Sequence, residues 1–320
     1  MEIGDYQTMM NCDNIEQHAA LLERLGGLPE TTVQNQEWLY MLAEDTRQSL
    51  AIEGFFATDE DLKAVLAGRK SDLEIANYFR AAQTVYDQAL QYYRDHTLVL
   101  NVPMIRHIHS ELFRELDTRR GEFRKGGIQI HSASVRPPEF DVEAYVRAAI
   151  DVTDELLRTQ PMLVALAQAH VLFESIHPFH DGNGHVGRIL LNFLAIGKGY
   201  PPIVIKGLEA HERRRYYAAL EAADSGLQPD FPAPEPQALI ERLAQGNVEP
   251  LVGLLCEGLL PRLDRLIVLT QERREPLSEL AVVSERMGIA EASLRQRIHR
   301  RRHLAIKRGK KLYSHPHLGL

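Results

Sequence analysis

The sequence predicts an all-α protein in which one short β-hairpin interrupts the helices and a small basic module follows them. Apolar residues recur with helical spacing through most of the 320 residues. Residues 121–138 depart from this spacing, because glycines and a proline pair bracket the alternating residues IQIHSASV. Residues 276–320 contain ten basic and three acidic residues, a net charge of +7, which leaves −14 for the rest of a chain whose total is −7. The uneven charge indicates an acidic body with a basic appendage.

Five helices are predicted in the first half of the body. The first covers residues 36–52 and ends at Gly54, because glycine after the last apolar position commonly ends a helix. The fifth follows Pro161, extends to residue 176 and is apolar on most faces, which indicates a buried helix. The other three cover residues 71–95, 103–116 and 142–158.

A sixth apolar helix is predicted after residue 185, because Val186, Ile189, Leu190, Phe193 and Leu194 share one helical face. Four prolines mark residues 226–237 as a loop or linker, and the helical pattern resumes over residues 238–268. We therefore expect one domain over residues 1–268, with its core at about 100–225, and a second over residues 269–320.

The composition is that of an ordinary globular protein, with 44% apolar and 25% charged residues. Two cysteines, Cys12 and Cys256, lie too far apart in sequence to predict a disulfide scaffold or a zinc site. No basic segment followed by an apolar run opens the chain, so no signal peptide is predicted. Residues 251–270 are too polar to span a membrane. A reduced, cytoplasmic setting without a membrane partner is expected.

Residues 177–188, HPFHDGNGHVGR, join the buried fifth helix to the sixth. Gly182 and Gly184 let the backbone of a helix N-terminus approach a phosphate. Asp181 beside the loop can hold Mg²⁺ together with substrate phosphates. Arg188, one turn into the helix, can bind a terminal phosphate in bidentate fashion, and His177 can accept a proton near neutral pH. These parts suit the transfer of a nucleotide phosphate to a hydroxyl.

This segment resembles the Fic motif HPFx[D/E]GNGRxxR and matches eight of its nine specified positions. His185 stands where the motif has arginine. The resemblance extends over roughly residues 36–268 and implies transfer of AMP from ATP to a Ser, Thr or Tyr hydroxyl of a protein, including the enzyme itself. Because histidine is shorter than arginine and mostly neutral at pH 7, we expect weaker triphosphate binding or another preferred donor.

The resemblance also implies roles for individual residues. His177 would be the general base, Asp181 the Mg²⁺ ligand and Arg188 the partner of the γ-phosphate. Tyr216 or Tyr217 would lie on the nucleobase side. The further nucleotide phosphate-binding positions would be Gly182, Asn183, Gly184 and His185, and a flap containing Ile128, Gln129, Ile130 and His131 would clamp the main chain of the target by β-augmentation.

Residues 49–54, SLAIEG, resemble the inhibitory motif [S/T]xxxE[G/N] of the same family, with Ser49, Glu53 and Gly54 at its specified positions. A carboxylate at the end of this helix can pair with Arg188 and place negative charge where the triphosphate must lie. The sequence therefore predicts an enzyme that inhibits itself.

The basic module resembles a winged helix-turn-helix. A short helix is expected from about Leu277 to Gly288, a second from Ala290 or Glu291, and a two-stranded wing that turns at Gly309. DNA binding is one hypothesis, and a protein-docking or dimerisation module of the same fold is the other. His315 and His317 have no third ligand near them in the sequence, so no metal site is predicted there.

Two alternative functions remain open at this level. The chain could be a DNA-binding regulator whose core is weakly active because of His185. It could also be an enzyme of the same family that uses another nucleotide-type donor or removes AMP. Self-association is a further expectation from the resemblance, although no interface can be identified in the sequence.

Overall fold

The fold is mostly helical, as predicted, in a computed structural model that describes residues 15–29, 36–69, 71–130, 133–228 and 230–320. Cys12, His131 and Pro229 lie outside the described residues. The described helices are α1 (Ile15–Arg24), α2 (Gln36–Ile52), α3 (Asp59–Leu66), α4 (Leu73–Asp95), α5 (Val102–Leu112), α6 (Val142–Thr159), α7 (Met162–Ile176), α8 (Asn183–Gly197), α9 (Ala210–Asp224), α10 (Pro236–Leu243) and α11 (Glu249–Arg274), followed by β1 (Ser278–Glu279), α12 (Leu280–Arg286), α13 (Glu291–His299), β2 (Ile306–Arg308) and β3 (Lys311–Ser314).

Helices α7 and α8 form the centre of the main body. They pack against each other, α6 covers α7, and α4 covers α8. The side chains of Phe179, Ile189 and Phe193 are fully excluded from solvent. The apolar face predicted for the sixth helix is therefore buried, and its burial fixes the direction in which the polar face of α8 points.

Local signals set several helix ends. Asn101 caps α5, because its side chain accepts a hydrogen bond from the backbone of Met104. Helix α2 ends at Ile52, and Gly54 follows in a left-handed conformation with φ 91°. Helix α5 ends at Leu112 rather than at the predicted residue 116, because the backbone turns at Glu115, which has φ 64°.

The hairpin predicted between residues 121 and 138 is not formed by the described residues of that segment. We call residues 127–138 the flap. Residues 127–130 and 133–138 belong to no strand, although Ile128 and Ile130 are half-buried and Gln129 between them is exposed, as in an extended chain. Hydrogen bonds from Arg124 to the carbonyls of Gly126 and Pro138 hold the two ends of the flap, so no strand ladder is needed to close it.

The chain divides into two compact units. One contains Thr31–Lys198 and Pro202–Gly258, and the other contains Met1–Glu30, Gly199–Pro201 and Leu259–Leu320, so far as these ranges are described. This division differs from the predicted boundary at residues 268/269, which lies within the continuous helix α11. None of the described helices is long and apolar enough to cross a membrane.

We call residues 259–320 of the second compact unit the C-terminal unit. It contains the two predicted short helices and a β-hairpin that turns at Gly309, with φ 59°. Its three strands are antiparallel in the order β1-β3-β2, with Glu279 opposite Tyr313 and Lys307 opposite Leu312. Strand β1 was not predicted, because two residues carry no readable alternation. The core of this unit consists of Leu280, Val283 and Leu294.

Candidate active site

The loop between α7 and α8 is held in one conformation by its own residues. Helix α7 ends at Ile176, and His177 adopts the left-handed conformation with φ 51°. The buried side chain of Asn183 accepts a hydrogen bond from the backbone nitrogen of Phe179 at 2.8 Å and donates one to its carbonyl at 3.0 Å. Asn183 can therefore offer only its backbone to a ligand, since its side chain closes the loop.

His177 has a defined tautomer. Its Nδ1 lies 3.0 Å from the carbonyl oxygen of Glu174, and a carbonyl only accepts, so Nδ1 carries the proton. Nε2 is then the unprotonated nitrogen. Burial lowers the pKa of His177 below its ordinary value, which keeps the imidazole neutral at pH 7. This neutral ring can accept a proton through Nε2.

Helix α8 begins at Asn183, and two glycines at this end permit close approaches. A Cβ atom on Gly182 would lie 2.3 Å from the ring of Phe113, and the φ of Gly182 is 69°. A Cβ atom on Gly184 would lie 2.3 Å from Oε1 of Glu53. The Glu53 carboxylate therefore lies against the first turn of α8, where backbone N–H groups without helical partners attract anions.

Arg188 is buried and contacts the end of helix α2. Its Nε donates to the Ser49 hydroxyl at 2.6 Å, and its Nη2 donates to the Glu53 carboxylate at 2.8 Å and to the Ser49 carbonyl at 3.2 Å. Burial by itself would lower the pKa of Arg188, but the charge of Glu53 raises it above its ordinary value. Burial would likewise raise the pKa of Glu53, but the charge of Arg188 holds it below its ordinary value. The pair is therefore ionised at neutral pH.

His185 lies one turn before Arg188 and is turned towards it. Its Nδ1 is 3.1 Å from Nη2 of Arg188, and the guanidinium only donates, so Nδ1 is the unprotonated nitrogen. The ring of Tyr78 contacts the imidazole edge-on, with centroids 5.4 Å apart. Burial and the neighbouring charge of Arg188 lower the pKa of His185 to about 4. His185 is neutral here, and its contacts orient Arg188.

Asp181 is exposed at the mouth of the loop. Its Oδ1 accepts a hydrogen bond from the backbone nitrogen of Gly182 at 2.7 Å, at the residue before the first residue of α8. An exposed carboxylate beside an anion site fits Mg²⁺, which binds proteins through one or two carboxylates and shares the phosphates of its ligand. His177, Gly182, Asn183, Gly184, His185 and Arg188 are thus brought together with Asp181, Ser49 and Glu53.

Residues 99–195 match the family model described as "Fic/DOC family". They include α5, α6, α7, the loop and most of α8. The chain carries a Fic domain. A probable protein adenylyltransferase from Aquifex aeolicus is 30% identical over 216 residues, which are 65% of this chain and 60% of that protein. The protein adenylyltransferase fic-1 of Caenorhabditis elegans is 29% identical over 147 residues, 45% of this chain and 28% of that protein.

Solved structures support the same fold. A Fic domain-containing signalling protein from Bacteroides thetaiotaomicron aligns with a TM-score of 0.64 at 20% identity, covering 81% of this chain and 98% of that chain. A Fic family protein from Desulfovibrio desulfuricans aligns with a TM-score of 0.54 at 18% identity, covering 95% of both chains. At these identities the likeness shows the fold alone, and the chain spans less than two thirds of the length of the curated relatives named above.

His109 holds the backbone of the Fic motif in place, a role that was not predicted from the sequence. Its Nε2 donates to the carbonyl of Asp181 at 3.3 Å, and its Nδ1 accepts from the backbone of Gly121 at 2.8 Å. The imidazole stacks on Phe179, with ring centroids 3.9 Å apart, and on Phe113, at 4.6 Å. Burial lowers the pKa of His109 to about 4, so the ring stays neutral. Nothing in sequence spacing links α5 to the motif, which is why His109 was missed.

The two tyrosines of α9 lie in different surroundings. The side chain of Tyr216 is 1% exposed, and its hydroxyl lies 2.7 Å from Nε2 of His170. The helical period turns one of two adjacent residues inward, and here that residue is Tyr216. Tyr217 is 48% exposed and donates to the carbonyl of Ile52 at 2.9 Å, at the end of α2. A position on the nucleobase side stays a prediction for both tyrosines.

A buried polar network anchors helix α2 to the Fic domain. The Asp45 carboxylate accepts hydrogen bonds from the Tyr86 hydroxyl at 2.7 Å and from the Asn192 side chain at 3.1 Å. Oε1 of Gln48, one turn later, accepts from the backbone of Gly207 at 2.8 Å. These bonds fix the position of α2 along its axis and its rotation about that axis, and hence the position of Glu53. They join residues more than 40 positions apart, so sequence periodicity could not find them.

Arg124 connects the flap to the motif. Its side chain is buried and donates to four carbonyls, those of Gly126 and Pro138 at the ends of the flap and those of Ile176 and His177 at the end of α7. Its backbone nitrogen also donates to the carbonyl of Pro178 at 2.9 Å. The guanidinium is charged and carries only hydrogen-bond donors, and the four groups it contacts here are carbonyl acceptors. Because these carbonyls belong to both the flap and the loop, Arg124 sets the distance between them.

Proposed function

We propose that this chain is an autoinhibited protein adenylyltransferase that transfers AMP from ATP to a Ser, Thr or Tyr hydroxyl of a protein, including itself. The observation that carries the proposal is the tautomer of His177, whose unprotonated Nε2 stands at the entrance of an anion-binding helix N-terminus. Relatives named protein adenylyltransferase support the same reaction class. A neutral base beside a phosphate site is what hydroxyl attack on phosphorus requires.

The reaction divides among residues of the loop. Nε2 of His177 accepts the proton of the attacking hydroxyl as the new oxygen–phosphorus bond forms, and pyrophosphate leaves. The backbone N–H groups at Asn183 and Gly184 neutralise charge on the phosphate oxygens. Asp181 would hold Mg²⁺, which when bound supplies positive charge to the phosphates. Arg188 would bind the γ-phosphate once its present partners have moved away.

In the proposed inhibition, the Glu53 carboxylate competes with the triphosphate of ATP for one binding position. Glu53 contacts both the guanidinium of Arg188 and the first turn of α8, so its carboxylate lies where the triphosphate would have to bind. Ser49 accepts from the same guanidinium, and Gly54 lets the chain turn away directly after Glu53. An ATP molecule that binds with Glu53 in place would lack the Arg188 contact and be held in an unproductive pose.

The decisive experiment measures label transfer from ATP labelled on the α-phosphate, with purified protein and Mg²⁺. Wild type, Glu53→Gly and Glu53→Gly/His177→Ala are compared. We expect little labelling of wild type, strong labelling of Glu53→Gly and none of the double variant. Transfer by the double variant would exclude His177 as the base. Equal labelling of wild type and Glu53→Gly would exclude the inhibitory role of Glu53.

Absence of label in every variant would favour the alternatives. A Fic enzyme with another nucleotide-type donor would then be revealed by competition between ATP and other nucleotides for the Glu53→Gly site. Removal of AMP would be revealed by release of label from a protein modified beforehand. If no nucleotide binds at all, the Fic domain would act as a weakly active core of a regulator.

The target protein would contact the flap. Ile128, Gln129 and Ile130 present an extended segment that pairs with no strand among the described residues, and such an edge suits the main chain of a target by β-augmentation. His131 belongs to the same predicted surface but lies outside the described residues. Self-association and a cytoplasmic setting stay predictions.

DNA binding by the C-terminal unit, as a winged helix-turn-helix, is the second candidate function. It rests on α13 and the residues just after it, where Arg297, Arg300 and Arg302 have no acidic partner among the described residues. A gel shift at rising salt tests it, because phosphate-driven binding weakens steeply with salt. Arg297→Ala/Arg300→Ala should abolish a shift that Arg295→Ala, whose guanidinium already pairs with Glu291, largely retains. No shift at low salt would leave the docking function.

A further inference from the structure

Three side chains of metal-ligand type meet in the C-terminal unit. Glu275 follows helix α11, and His315 and His317 belong to the last short turn of the chain. One ligand atom from each lies within 4.8 Å of the other two. The third ligand that the sequence lacked near the two histidines is thus supplied by a residue 40 positions earlier.

The central ligand of this cluster is held rigidly. His315 is 4% exposed, and its Nε2 lies 2.7 Å from Oε2 of Glu275. The preceding residue, Ser314, lies in β3 and bonds through its hydroxyl to Nε2 of the buried His303 at 2.9 Å. The backbone after it is also tied down, since the nitrogen of Leu304 donates to the carbonyl of Leu318 at 2.9 Å. One ligand is therefore preorganised, and the two exposed ligands can adjust to it.

The charges of the cluster suit a cation. His315 and His317 each offer a ring nitrogen, and the carboxylate of Glu275 adds a negative charge that favours a cation. Arg286 opposes a cation, since its charge also contributes to the lowered pKa of His315.

We propose that Glu275, His315 and His317 bind one divalent transition-metal ion of the zinc class. Two imidazoles and one carboxylate are the ligands that Zn²⁺ accepts readily, whereas Mg²⁺ and Ca²⁺ prefer oxygen alone. Three protein ligands leave a fourth tetrahedral position open to water. The ion would take the place of the Nε2 proton in the hydrogen bond between His315 and Oε2 of Glu275.

Binding requires a small rearrangement. Ligand atoms around one tetrahedral Zn²⁺ are about 3.3–3.5 Å apart. The 2.7 Å pair of His315 and Glu275 must therefore open by about 0.7 Å, and any pair near the 4.8 Å limit must close by about 1.4 Å. The Nε2 proton of His315 moves to Nδ1, which ends the 3.2 Å bond that Nδ1 now accepts from the backbone nitrogen of His317. That bond is long and its loss is small beside two metal–nitrogen bonds. The ion would join the end of α11 to the C-terminal residues within this unit.

The test titrates the full-length protein, freed of metal with a chelator, with Zn²⁺ in a calorimeter and in thermal unfolding. Variants His317→Ala and Glu275→Gln alter the two exposed ligands and leave the buried His315 intact. Matched controls are His299→Ala, an exposed histidine of the same unit, and Glu272→Gln, a carboxylate that pairs with Arg308. Unmodified protein and both controls should bind one equivalent and unfold at a higher temperature with Zn²⁺. Both ligand variants should bind at least about tenfold more weakly.

Two results would overturn the proposal. Wild-type protein that takes up no Zn²⁺ at micromolar concentration would leave the cluster as an ion pair with a neighbouring histidine. Equal affinity in wild type, His317→Ala and Glu275→Gln would place any bound zinc elsewhere. Neither readout depends on ATP or label transfer, so the test is independent of the catalytic proposal.

Discussion

The side chain of Arg124 donates from Nε to the main-chain carbonyl of His177 at 2.7 Å. Through the same guanidinium it bonds to both ends of the flap, so the proposed base and the proposed target-binding segment share one buried cation. A displacement of the flap must therefore change the contacts of the residue that holds the backbone of His177.

Replacing Arg124 with lysine should slow label transfer in the Glu53→Gly background. Lysine cannot reach four carbonyls from one ammonium, so the loop and the flap lose their fixed spacing. A misplacement of about 1 Å at the base costs about 100-fold in rate, with little change in KM for ATP. Arg119→Lys, an exposed residue paired with Asp117, is the control. Equal rates for the two variants would contradict the positioning role.

Removing the Ser49 hydroxyl should relieve inhibition partially. Ser49→Ala deletes the acceptor of Arg188 Nε but keeps the Glu53 pair, and a hydrogen bond to a charged group contributes about 1.5–3 kcal/mol. Label transfer should rise above wild type but remain below Glu53→Gly. Thr46→Ala is the matched control, because its hydroxyl bonds within helix α2, to the carbonyl of Leu42. Activation of both variants alike would indicate general loosening of the helix.

The pH profile of the Glu53→Gly variant should reflect His177. The base works in its neutral form, and its pKa lies below the ordinary 6.5, so transfer is full above pH 6.5 and is lost as the pH falls through the folded pKa. Glu53 raises the pKa of His177, so its removal moves the midpoint further down. Rates measured from pH 5 to 8 at constant ionic strength test this. A midpoint at or above 6.5 would contradict the assignment.

Gly182 should tolerate no side chain. Gly182→Ala must adopt φ near 69° and bring Cβ to 2.3 Å from the Phe113 ring, whereas Gly68→Ala has φ 65° with nothing within 4 Å. The control should cost about 1–2 kcal/mol for its backbone alone, and Gly182→Ala more, with a lower melting temperature. Equal melting temperatures would mean that the Phe113 contact relaxes freely.

Restoring the arginine of the Fic motif should strengthen ATP binding. In the Glu53→Gly background, His185→Arg replaces a neutral ring with a permanent charge beside Arg188, and two guanidiniums then face the triphosphate. KM for ATP should fall by about tenfold, the equivalent of one charged hydrogen bond, while kcat changes little. An unchanged KM would show that the donor does not contact position 185.

The helical fold and the motif could be predicted because both depend on local signals. Caps such as Asn101 and the stop at Gly54 act within a few residues, and the Fic motif is continuous in sequence. The structural roles of His109 and Asp45 could not be predicted, because their hydrogen-bond partners are distant in sequence and are brought close only by packing. Which of Tyr216 and Tyr217 is turned inward could not be predicted, because adjacent residues on a helix cannot be ordered without knowing which face is buried. The flap was predicted from its alternation, which is present, but an extended chain without a partner forms no ladder.

The contact between Glu53 and Arg188 has a consequence for how the protein could be switched on. In the proposed inhibition the competing carboxylate belongs to the same chain, so its effective concentration at the site is on the order of millimolar or higher whatever the dilution of the protein. Raising ATP is then a poor activator, because it must outcompete a tethered anion. An effective signal has to act on helix α2 itself, by favouring states in which its anchors at Asp45 and Gln48 are broken.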